Sequence, residues 1–136
     1  MSTDADLRRI LTENRSVAVL GAKESPYEAA YYVPAYLHQR GWRVVGVNPK
    51  LRGDWLGSPP VATLAELDPV DVIEVFRRPE FLVGHAREIL ALPWKPRVAW
   101  FQLGIRDDAA AALLQDAGIK VVQDRCMMPE HRRLVG

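Results

Sequence analysis

Short apolar runs rich in β-branched residues alternate with amphipathic stretches along the whole chain, the pattern of βαβ units around a mostly parallel sheet. Asp4 to Glu13 predicts an amphipathic helix, because Leu7, Ile10 and Leu11 fall on one face. Ser16 to Leu20 is almost wholly apolar, as a strand covered on both faces must be. Ser25, Pro26 and Glu28 then predict a helix start: an N-cap, a proline in the first helical position and a Ser-x-x-Glu capping box. This helix is expected to stop at Gly41, and Pro34 to kink or break it by removing a backbone donor. Further strands are predicted at 42–47, 71–76, 97–101 and 119–123. Helices are predicted at 63–67, from Pro79 to before Pro93, at 107–117 and near 129–133.

The expectation is a single α/β domain over residues 1–136, with the first 14 residues forming a helix packed on it. Right-handed crossovers put helices on both faces of a Rossmann-like, doubly wound parallel sheet of five strands, expected in the order 3-2-1-4-5. Ligands of such sheets bind beyond the carboxyl ends of the strands, where the order reverses.

Composition narrows the picture. With 136 residues, 49% of them hydrophobic, the chain is long enough for one good core. Its net charge of +1 offers no general attraction for nucleic acid or an anionic membrane, so any anion site is local. The single cysteine, Cys126, fits a reducing compartment. The charged N-terminal residues do not read as a secretory signal, and no run approaches the roughly 20 apolar residues of a membrane span. A cytoplasmic location is expected.

The predicted strand ends carry the candidate chemistry. After strand one stand Gly21, Ala22, Lys23, Glu24, Ser25 and Pro26. Glycine permits close backbone approach, helix-start N–H groups suit phosphate, Lys23 adds a charge and Ser25 a hydroxyl. Equally, Gly21 and Ser25 serve a tight turn and a cap. Strand two ends in Asn48, Pro49 and Lys50, where a dinucleotide site for NAD has an acid. A basic residue there suits a phosphorylated ribose, which NADP and coenzyme A both carry. Strand three ends in Phe76, Arg77 and Arg78, an aromatic ring with two guanidinium groups able to grip phosphate. Strand four ends in Gln102, Leu103, Gly104 and Ile105, which suit close approach and an apolar arm.

No catalytic set stands out. His38 and His85 fall in helices at the periphery, and His131 and Cys126 share the tail without a third group to orient them. Cys126 reads as a small buried residue rather than a nucleophile. There is no Walker-type phosphate loop, no metal-ligand spacing and no basic–aromatic stripe for single-stranded nucleic acid.

Taken in order, Val17-Ala-Val-Leu-Gly-Ala22, Pro26, Val47-Asn-Pro-Lys50, Val75-Phe-Arg-Arg-Pro79, Trp100-Phe-Gln-Leu-Gly104 and Asp124-Arg-Cys126 resemble the small stand-alone CoA-binding proteins. These are similar to the CoA-binding domain of the succinyl-CoA synthetase alpha subunit. The resemblance implies coenzyme A or an acyl-CoA in the switch-point crevice. It puts phosphate or sugar at the Gly21 turn and Ser25, and the adenosine phosphate beside Asn48, Pro49 and Lys50. Phe76, Arg77 and the 102–104 loop would flank the rest. Lys23 stands where such turns often have serine. The synthetase's phosphohistidine domain is not part of the match, so no ligase activity is implied, and binding without catalysis is the leading expectation. An NADP-dependent or other nucleotide-using enzyme, and a cofactor-sensing regulatory subunit with a protein partner, are the alternatives.

Overall fold

The computed structural model describes residues 2–136. Five parallel strands form one sheet: β1 (Ser16–Leu20), β2 (Arg43–Val47), β3 (Val72–Val75), β4 (Val98–Phe101) and β5 (Lys120–Val122). Helices α1 (Asp4–Glu13), α2 (Ala29–Gln39) and α5 (Met127–Leu134) cover one face. Helices α3 (Leu82–Leu90) and α4 (Asp108–Asp116), with a 3₁₀ turn at Leu64–Glu66, cover the other. Alternation along each strand feeds both layers: in β1, Val17 and Val19 serve the first core, Ala18 and Leu20 the second.

The doubly wound class is as expected, but within it the sheet runs β2-β1-β3-β4-β5, with β3 beside β1 and not outside β2. Periodicity does not encode the direction of a crossover. Beyond the backbone ladder, a reciprocal pair ties the starts of β1 and β3: the Asp71 carboxylate accepts from the backbone N–H of Arg15 and Ser16, and the Ser16 hydroxyl accepts from the Asp71 N–H at 2.8 Å. The order therefore reverses between β1 and β3.

Helix α2 begins at Ala29, three residues later than the capping-box pattern predicts. Ser25 to Glu28 instead make a β-turn, closed by the Glu28 N–H to the Ser25 carbonyl at 3.1 Å, with Pro26 in its favoured second position. The Ser25 hydroxyl accepts from the Tyr27 N–H, so it caps the turn and not the helix. Nor does Pro34 break the helix, which runs unbroken from Ala29 to Gln39. The carbonyl that a residue-34 N–H would have taken belongs to Ala30, and it accepts from the Lys23 N–H at 3.4 Å. The helix ends as expected, with Gly41 at φ +90°.

Candidate functional site

The strands end flush. Leu20 pairs with Val47 and Val75, and Val75 with Phe101, so Gly21, Asn48, Phe76 and Gln102 stand abreast as the first residues beyond the sheet. Gly21 fits there because it has no side chain. Its φ is +86°, and a Cβ on it would lie 2.5 Å from the Phe76 carbonyl oxygen. This close approach lets the turns after β1 and β3 share the switch point.

Asn48 ties the turn after β1 to the end of β2. Its Nδ2 donates to the Ala22 carbonyl at 2.8 Å, while its Oδ1 accepts from the Lys50 N–H at 2.9 Å. The second bond is an Asx turn, which orients Pro49 and Lys50. Buried Trp55 adds a further tie, its indole N–H donating to the Lys23 carbonyl at 2.9 Å. Lys23 is thus held by its N–H to α2 and by its carbonyl to the loop after β2, leaving its exposed side chain free to reach over the strand ends.

Between these ends lies a cavity of about 330 Å³. Gly21, Lys23, Asn48, Pro49, Lys50 and Arg77 line it, with Leu20 and Val47 at its floor and Ala62, Thr63 and Leu64 on one wall. His85 and Glu88 of α3 complete it. Three cations face one acid, Glu88, among the described lining residues, so the cavity carries a net positive lining on a nearly neutral chain. His85, which the sequence pattern assigns to the periphery, is brought here because a 3₁₀ turn at Pro79–Phe81 swings α3 back beside Arg77.

Other candidate residues do not line this cavity. Gln102 is buried, and its Oε1 accepts from the Met127 N–H at 3.1 Å, so it caps α5. The Gly104 N–H donates to Asp124 Oδ1, and Ile105 accepts from the Asp124 N–H, which joins the turn after β4 to the one after β5. Leu103 is exposed on that turn. Arg78 points to solvent near Glu80. Phe76 is half-buried against the α1/α2/α5 core, as is Cys126 at the start of α5. Ala22 is fully buried, and Ser25 and Pro26 stand in the turn before α2.

One group that the sequence reading passed over is Glu74. It is fully buried in β3, in register with Val19 and Trp100, and neither carboxylate oxygen has a hydrogen-bond partner. Desolvation pushes its pKa up to about 8. The signal available was an acid inside an otherwise apolar strand. A separate cavity of about 420 Å³ follows the outer edge of β5, lined by Asp6 and Lys120 among others, away from the strand ends that converge on the switch point. Among the described residues, no group of three or more potential metal ligands occurs and no helix is long and apolar enough to cross a membrane.

A parallel doubly wound sheet with a cationic cavity at its switch point is an architecture that nucleotide-cofactor-binding domains use. Within that class the assignment is specific: residues 15–132 match the CoA binding domain family, and the chain belongs to it. Membership supports binding of coenzyme A in general. The chain is similar to the uncharacterized protein YneT of Bacillus subtilis, with 32% identity over 93% of each chain. It is also similar to two solved structures. One, cell-free ID.343 from Thermus thermophilus, has 45% identity and a TM-score of 0.90 over 98% of this chain and 99% of that one. The other, a hypothetical protein from Pyrococcus horikoshii OT3, has 32% identity and a TM-score of 0.90 over 99% and 94%.

Proposed function

We propose that this protein binds coenzyme A or an acyl-CoA in the cavity at the β1/β3 switch point, as a binder without chemistry of its own. The observation that carries the reading is the convergence of Lys23, Lys50 and Arg77 on that cavity, around strand ends tied by Asn48. The donor set fits the phosphates of the coenzyme: two ammonium groups, one guanidinium fork and a glycine turn that keeps the backbone open. Asn48 in place of an acid at the end of β2 favours a phosphorylated ribose over the free ribose of NAD. The cavity is at the small end of ligand-sized pockets, so it takes one end of the coenzyme, with the remainder lying along the exposed turns that carry Phe76 and Leu103.

NADP shares the phosphate logic, and family membership favours coenzyme A over it. Competition on the purified protein tests the choice. Coenzyme A displacing bound NADPH at lower concentration than the reverse supports the reading, and the opposite ranking overturns it.

A further inference from the structure

Arg77 does not reach the cavity as a loose side chain. Its Nε donates to His85 Nε2 at 3.2 Å, and its guanidinium carbon lies 5.1 Å from the centroid of the Phe81 ring. His85 Nδ1 in turn lies 2.7 Å from Glu88 Oε1, one turn further along α3. An arginine nitrogen only donates, so His85 Nε2 accepts and carries no proton. The ring proton therefore sits on Nδ1, which donates a hydrogen bond to Glu88 Oε1. The carboxylate thus fixes the tautomer, the tautomer presents a lone pair to Arg77, and the Phe81 ring supports the guanidinium from its face. Arg77 is consumed only at Nε, which leaves its two terminal amino groups as a fork for a ligand. Arg77, His85 and Glu88 all line the same cavity. The His85 side chain is only 15% exposed, so the ring is held by packing as well as by its two bonds.

We infer that His85 and Glu88 are positioning residues, which hold the Arg77 guanidinium preorganised for an anionic oxygen group of the ligand through the chain Glu88–His85–Arg77. The inference rests on the coenzyme A reading only for the identity of that ligand. An arginine side chain left free loses rotamer freedom when it engages a phosphate; held beforehand, it loses less and binds more tightly. A merely structural His85 would affect folding and leave the affinity of the folded protein intact.

The test is calorimetric titration of the full chain with coenzyme A and, separately, with inorganic pyrophosphate. The variants are His85→Leu, His85→Gln, Glu88→Ala, Arg77→Ala and the His85→Leu/Arg77→Ala pair, each first shown to be folded by circular dichroism. Leucine removes the acceptor, whereas the glutamine amide oxygen can accept from Arg77 Nε in its place. The expected result is a loss of about tenfold for His85→Leu, restoration by His85→Gln, a smaller loss for Glu88→Ala, and no further loss from His85→Leu once Arg77 is alanine. Coenzyme A binding that ignores His85→Leu, or losses that add in the double variant, overturns the inference and leaves the coenzyme reading standing. If coenzyme A fails to bind but pyrophosphate binds with the same dependence on His85, the coenzyme reading fails and the positioning role stands. If neither binds, both fall.

Discussion

Asn48 donates from Nδ2 to the carbonyl of Ala22 across 2.8 Å, and in doing so one side chain holds together the two turns that build the cationic cavity. Its other amide atom accepts from the Lys50 N–H. Asn48→Asp keeps the second bond and forfeits the first, because a carboxylate donates nothing at neutral pH. It also sets a negative charge beside Lys50 in the cationic cavity. Thermal melts and coenzyme titration are expected to show about 1–2 kcal/mol of lost stability and at least about tenfold weaker binding. Binding at full strength in this variant would mean that the end of β2 does not hold the ligand.

Gly21 and the Phe76 carbonyl set the closest approach at the switch point. In Gly21→Ala the new Cβ meets that oxygen at 2.5 Å, at a φ of +86° that alanine rarely adopts. Strand ends on both sides would have to part. Urea denaturation is expected to show a loss of about 2–4 kcal/mol, above the ordinary range for a glycine-to-alanine change. A loss under about 1 kcal/mol would mean that the turns are not packed as described.

Glu74 gives the fold a pH dependence of definite sign. In the folded chain it keeps its proton up to about 8, whereas unfolded it ionises near 4.5. Between those values the folded state holds one more proton than the unfolded state, so stability falls as pH rises, by about 1.4 kcal/mol per unit at most. Below pH 4.5 and above pH 8 this contribution is flat. His131, whose pKa is lowered chiefly by burial, gives the opposite slope below its ordinary 6.5, so the two must be separated by a variant. Urea midpoints of the wild type are expected to slope downward between pH 5 and 8, and Glu74→Gln to remove that slope. Identical slopes in the two proteins would contradict the buried, proton-bearing state of Glu74.

Much of this architecture is legible in the residues, and the exceptions have a common cause. The bounds of α1 and β1 follow from local pattern, since Leu7, Ile10 and Leu11 make one helical face and 16–20 one buried strand. The start of α2 does not. Ser25, Pro26 and Glu28 suit a capping box and a β-turn equally, and the choice is made by distant partners: Trp55 holding the Lys23 carbonyl and Ala30 taking the Lys23 N–H. The place of β3 depends likewise on Asp71 and Ser16, 55 residues apart. That Lys23, Asn48, Lys50 and Arg77 come together around one cavity was readable because strand ends in a doubly wound sheet must converge. His85 was not, because its approach to Arg77 requires the 3₁₀ turn at 79–81 and leaves no periodic trace. The bond by which Gln102 caps α5 was not readable either, because it becomes visible only once Met127 is beside it.

The central claim is that coenzyme A is held by the cations at the β1/β3 switch point. Its most direct test is isothermal titration of coenzyme A into the wild-type protein and the Lys50→Ala/Arg77→Ala variant at fixed ionic strength. Both side chains are exposed at the cavity, so the variant is expected to fold and melt like the wild type. Micromolar binding by the wild type, weakened about 100-fold or more in the variant, is the predicted result. Equal affinity in the two proteins would contradict it.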